Sequence, residues 1–143
     1  MNANTELLNF IYQNSQMGVD TLGQLLEMTQ DKRFSQHLEL QRAEYQEIHT
    51  QAREALNKNG CDEKGLSVFE KAKTYLMLNM QTMTDRSTSH MAEMLMVGST
   101  MGIVDATRRL RQYQQEAEAD ILRLMQRLLA FEEQNVERLK AFL

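Results

Sequence analysis

The order of the helices depends on residues 57–89, which read NKNGCDEKGLSVFEKAKTYLMLNMQTMTDRSTS. Gly60 ends a periodic segment and suits the left-handed conformation that often closes a helix. Apolar residues then recur at helical spacing from about Glu63 to Thr84, namely Leu66, Phe69, Leu76, Met80 and Met83. Residues 85–89 (DRSTS) supply short oxygen-bearing side chains that can cap the next helix. The stretch therefore predicts one helix with a boundary on either side.

Two long amphipathic helices are predicted on each side of this stretch. The first spans about Thr5 to Thr29, and the second runs from Phe34 to residues 57–60. The third spans about Ser89 to Gln112, and the fourth continues through Ile121 to the C-terminus. Cationic residues before Tyr113 and acidic residues after it complement the dipoles of the two helices that meet there. Helices of about 25 residues are roughly 37 Å long.

These lengths predict an all-α fold of five helical segments in one domain, residues 1–143. Short loops join the long helices in pairs, so each pair is expected to form an antiparallel hairpin. The middle segment is expected to return along the bundle as a helical crossover, which gives a four-helix bundle. A plain five-helix up-and-down array is the alternative.

The composition supports a helical protein. The chain has no proline in 143 residues, and helix interiors exclude that residue.

A net charge of -4 argues against broad attraction to nucleic acid or to anionic membranes. No apolar run is long enough to span a bilayer, and the N-terminus does not resemble a signal peptide. Cys61 is the single cysteine, so we expect a cytoplasmic protein without an internal disulfide.

Two segments carry a resemblance to a known superfamily. They are MLMVGSTMGI at residues 94–103 and EEQNVERLK at residues 132–140. Together with the two hairpins and the crossover, they resemble an uncharacterised bacterial branch of the ferritin-like superfamily. The resemblance covers nearly the full length, implies the ferritin-like four-helix bundle, and implies no particular activity.

Di-iron members of that superfamily place Glu-x-x-His pairs on two helices, because residues at i and i+3 share a face. No such pair precedes His37, His49 or His90 in this chain, which argues against oxygenase or ferroxidase chemistry. The inverted pair His90-x-x-Glu93 does have ligand spacing, although we favour the simpler interpretation that His90 caps or lines the first turn of the helix and Glu93 lies in water. Iron or another transition metal is thus an alternative cofactor, and no cofactor is the first expectation.

A polar layer is predicted half-way along the bundle. Glu132 interrupts the apolar stripe of the last helix, Glu44 flanks that of the second, and Asn14 with Ser15 interrupts the first. A free carboxylate is costly to bury. Such a layer can be a degenerate metal site or a hydrogen-bond network that fixes the register. It can also be an artefact, if the predicted rotation of a helix about its axis is slightly wrong. The candidate metal ligands are Glu44, His90, Glu93 and Glu132.

The methionines and two glycines favour close contact with another helix or another molecule. The chain has 11 methionines, many of them between residues 77 and 101, and methionine suits both irregular cores and adaptable surfaces. Met77-x-x-Met80-x-x-Met83 near His90 could also hold Cu(I). Gly98-x-x-x-Gly102 lets another helix approach closely, either within the bundle or from a second copy.

The sequence therefore predicts a methionine-rich, non-catalytic bundle that acts through self-association or protein binding, as a homo-oligomer or with a protein partner. One alternative is a metal-binding or oxidoreductase bundle with an atypical carboxylate and histidine site. Another is a binder of a small apolar molecule in a mid-bundle cavity lined by methionine. Nothing in the sequence identifies a catalytic residue.

Overall fold

The computed structural model describes residues 2–60 and 70–143, with the side chain of Glu70 left aside. Five α-helices are followed by a 3-10 turn (Lys140–Phe142); they are α1 (Ala3–Met28), α2 (Lys32–Lys58), α3 (Glu70–Gln81), α4 (Thr88–Tyr113) and α5 (Ala119–Leu139). The described residues contain no strand, so the all-helical prediction is confirmed. Across the same two ranges, no helix combines the length and the hydropathy that a bilayer span requires.

Local chemistry sets the helix ends much as the sequence predicts. Gly60 has φ of +70°, the left-handed conformation that lacks a steric penalty only in glycine. The Asp31 carboxylate accepts a hydrogen bond from the Phe34 N–H at 3.0 Å, and the Ser87 hydroxyl accepts one from the His90 N–H at 3.2 Å. Both are N-cap bonds that satisfy amides of a first turn. The predicted start of the crossover and Cys61 lie outside the described residues.

The long helices pack as two antiparallel hairpins, α1 with α2 and α4 with α5. The Arg42 Nε donates to the Val19 carbonyl at 3.1 Å, and Ser15 Oγ lies 3.2 Å from His49 Nδ1, which sets the antiparallel register of the first hairpin. The short α3 packs on α4 and borders α1. Helices α2 and α5 touch more sparsely than the helices within either hairpin, which leaves a groove along their seam.

Helix α1 packs against α2, α4 and α5, and it has more buried residues than α2, α4 or α5. Helical spacing predicts an apolar stripe on this helix that includes Leu8, Ile11, Leu22 and Leu25, and these four residues are buried. The burial extends well beyond that stripe, to Leu7, Phe10, Asn9, Gln13, Asn14 and Ser15. Amphipathic periodicity predicts one buried face, whereas this helix is covered on several sides.

Candidate functional site

A cluster of polar side chains lies buried between four helices. This polar cluster consists of Asn14 from α1, Gln41 and Tyr45 from α2, Ser99 from α4 and Glu132 from α5. Glu132 is only 2% exposed. The prediction that Glu132 and Asn14 interrupt apolar stripes inside the bundle is thus confirmed. Buried polar groups are stable only when they are hydrogen-bonded, so the partners of Glu132 define the chemistry of the cluster.

Two hydroxyl groups hold the Glu132 carboxylate. The Tyr45 hydroxyl donates a hydrogen bond to Glu132 Oε1, and the Ser99 side chain also bonds Glu132. Burial raises the pKa of Glu132 from 4.5 to about 7, although both hydroxyl groups oppose the rise. Burial, followed by the nearby Glu132 charge, raises the pKa of the Tyr45 phenol well above its usual value. Glu132 is therefore a carboxyl group that changes protonation near neutral pH.

Hydrogen bonds connect the polar cluster to the surface of α2. His37, Gln41 and Tyr45 are spaced by four residues, which places them on one face of the helix. His37 Nε2 lies 3.0 Å from Gln41 Oε1, and the Gln41 side chain bonds the Tyr45 hydroxyl. His37 is half-buried, and its pKa is lowered by burial and by the charge of Arg138. A continuous chain of polar contacts thus runs from His37 to Glu132.

Glycines in the helix interiors allow close packing around the polar cluster. A Cβ atom at Gly18 would lie 2.6 Å from the Tyr45 ring, and one at Gly102 would lie 3.0 Å from Asn14 Nδ2. A Cβ atom at Gly98 would lie 3.3 Å from Leu76 of α3. Gly98 and Gly102 therefore lie against side chains of the bundle itself, as the interpretation of close packing within the bundle predicts.

A small cavity of about 30 Å³ adjoins the polar cluster. This volume is enough for one water-sized molecule and is too small for the apolar ligand that the sequence suggested. Its walls are mainly polar and aliphatic, with one methionine, Met17. The mid-bundle cavity lined by methionine is thus not found among the described residues.

The four candidate metal ligands are not brought together. Glu44 lies on the side of α2, where Arg127 Nη2 contacts its Oε1 at 2.6 Å. His90 lies in the first turn of α4, Glu93 is exposed, and Glu132 is buried in the polar cluster. In residues 2–60 and 70–143, no group of three or more His, Cys, Asp and Glu side chains is placed to hold a metal ion.

The methionines differ in how far their side chains are exposed. Met83, Met91 and Met94 are buried, whereas Met77 is 42% exposed on α3. A groove of about 260 Å³ lies between α1 and α3 and is lined in part by Met17, Met77 and Met80. The Cu(I) hypothesis for Met77, Met80 and Met83 stays a prediction.

Comparison with protein-family models, with curated proteins and with solved structures finds no match to this chain. The resemblance to the ferritin-like superfamily therefore stays a prediction.

Proposed function

We propose that this chain is a non-catalytic bundle of the ferritin-like plan that acts by associating with a second copy of itself. The observation that carries the proposal is a pair of neighbouring exposed apolar side chains on α3, one of which lines a groove. Met77 is 42% exposed there and Leu78 is 54% exposed. Exposed apolar side chains next to a groove are typical of an interaction surface.

The groove beside this face is suited to take an apolar side chain from a partner. Met17 of α1 and Met77 and Met80 of α3 line it, and methionine adapts easily to a partner surface because its side chain is unbranched and polarizable. Leu78 of a second copy is our proposed occupant. A two-fold dimer buries the same patch on both subunits, so each Leu78 would enter the groove of the other copy.

Charge supports a second copy as the partner. Asp20 of α1 and Lys73 of α3 flank the same groove and are both exposed. In a two-fold dimer that crosses the groove, Asp20 of each copy would meet Lys73 of the other. Opposite charges that face each other across an interface favour the correct partner and orientation. The groove is therefore self-complementary in charge as well as apolar.

The helix arrangement supports the ferritin-like plan. Helices α1, α2, α4 and α5 share one core as two hairpins, and the short α3 packs outside them on α4. This is the layout expected when a crossover connects two hairpins. Glu44 pairs with Arg127 near the surface, whereas Glu132 is buried and bonds Tyr45 and Ser99, which supports a non-catalytic role over an atypical metal site.

We expect the wild-type protein to form a dimer, with twice the chain mass of 16.7 kDa, in sedimentation or light scattering at micromolar concentration. The Leu78→Lys variant should weaken the dimer at least about tenfold, because it places a charge in the apolar contact. Leu40→Lys is the matched control, since Leu40 is an exposed leucine of α2. It should leave the solution mass unchanged.

A monomeric wild type would overturn the proposal, as would a Leu78→Lys variant that dimerises normally. Dissociation by Leu40→Lys as well would contradict the assignment of the interface to α3.

Elemental analysis of protein purified without a histidine tag tests the proposal that the bundle is non-catalytic. One or two iron, zinc or copper ions per chain would reject it in favour of a metal-binding bundle.

A further inference from the structure

A second and larger groove runs along the sparse seam between α2 and α5. Its volume is about 820 Å³, which lies within the range of small-molecule sites. The two helices run antiparallel along the seam. Arg33 and Arg138 therefore lie at one end of the groove, and Glu44 and Arg127 lie at the other. This groove is separate from the one between α1 and α3.

A buried amide group on this groove lacks a hydrogen-bond partner within the described part of the chain. Asn135 of α5 lines the groove and is 1% exposed, and its Nδ2 makes no hydrogen bond to residues 2–60 or 70–143. A buried donor without an acceptor is unfavourable, and such groups are uncommon in folded proteins. An acceptor atom supplied by a bound molecule would remove this cost. The ligand is therefore expected to present an oxygen atom to Asn135.

The charge of the groove favours an anionic oxygen. Arg127 is neutralised because its guanidinium bonds Glu44 at 2.6 Å and lies 3.4 Å from Glu47. Arg138 lies close enough to His37 to lower the pKa of that imidazole, and Arg33 lies at the same end, 5.5 Å from the ring of Phe142. Two arginines near one half-buried histidine make this end cationic in a chain whose net charge is -4.

The remaining walls favour an apolar body on the ligand. Leu40 is 74% exposed on one side of the groove, and Ala130 and Phe131 line the other side. An arginine side chain binds a carboxylate through two parallel hydrogen bonds. We propose that the groove between α2 and α5 binds a small organic carboxylate, whose oxygens contact Arg138 and Asn135 and whose apolar part lies against Leu40 and Phe131.

Octanoate is the probe for this proposal, and calorimetric titration of the full chain is the measurement. We expect saturable binding of one octanoate per chain. Arg138→Gln should weaken binding about tenfold, because a charge-assisted hydrogen bond is lost. Asn135→Leu should also weaken it by several fold, because it removes the amide while keeping the number and branching of the side-chain heavy atoms. Arg123→Gln is the matched control, since Arg123 is an exposed arginine of α5 that does not line the groove.

Three comparisons distinguish the chemistry of the ligand. Acetate and inorganic phosphate should bind at least about tenfold more weakly than octanoate, since they lack the apolar part. Octanol should also bind more weakly, because it lacks the charge. The proposal is overturned if octanoate does not bind saturably, if octanol or phosphate binds as tightly, or if Arg138→Gln and Asn135→Leu bind octanoate like the wild type.

Discussion

Replacement of Glu132 by glutamine should make the protein progressively more stable than the wild type as the pH rises from 5 to 8.5. The pKa of Glu132 is about 7 in the folded protein and 4.5 as its ordinary value. A raised pKa contributes stability that is complete below pH 4.5 and is lost as the pH rises to 7. Two and a half pKa units correspond to about 3 kcal/mol. Glutamine does not ionise, so the variant avoids this loss.

Urea denaturation at pH 5 and at pH 8.5 measures the effect. The difference in unfolding free energy between Glu132→Gln and wild type should increase by about 2 to 3 kcal/mol between the two pH values, because a small part of the loss is already present at pH 5. Backbone hydrogen bonds lower the carboxyl pKa values of Asp31 and Asp85. Because both groups titrate in the variant as in the wild type, their contributions cancel in the difference between the two unfolding free energies. Glu133→Gln is the control, because Glu133 is the exposed neighbour of Glu132. Parallel pH profiles for Glu132→Gln and wild type would show that the carboxyl group is not desolvated.

The features that the sequence predicts well depend on local chemistry. The cap at Ser87 and the left-handed Gly60 involve only residues within a few positions of each other. The apolar stripe at Leu8, Ile11 and Leu22 follows from helical periodicity alone. Such features are encoded in single segments, so the number, order and approximate ends of the helices could be predicted without knowledge of the packing.

The polar cluster could be predicted only in part, because it depends on the register between helices. Glu132 interrupts an apolar stripe and was identifiable for that reason. Its main partner, Tyr45, is 87 positions away in the sequence and belongs to the apolar stripe of its own helix. The sequence pattern predicts Glu44 in the polar layer instead, yet Glu44 pairs with Arg127 at the surface. Adjacent residues on a helix point about 100° apart, so an error of one position exchanges a buried residue for an exposed one.

Replacement of Gly18 by alanine should destabilise the protein by about 2 kcal/mol, although alanine is the better helix former. A Cβ atom at this position would lie 2.6 Å from Cδ2 of Tyr45. The ring has little freedom to move, because it packs edge-on against Phe131 with centroids 4.8 Å apart and its hydroxyl bonds Glu132. Overpacking of this kind costs about 1 to 3 kcal/mol, and a lost buried hydrogen bond adds to it. The helix propensity of alanine offsets about 1 kcal/mol.

Gly23→Ala is the matched control on the same helix. Its Cβ atom would lie 3.1 Å from Arg42 Nη2, the end of a long side chain that can move by a few tenths of an ångström. Here the helix propensity should dominate, and the variant should gain up to about 1 kcal/mol. A double-mutant cycle with Tyr45→Leu isolates the contact, because alanine at position 18 should no longer clash once the ring is absent. If Gly18→Ala proves as stable as wild type, or remains equally damaging without the Tyr45 ring, then the close approach of α1 to Tyr45 does not limit the packing of the bundle.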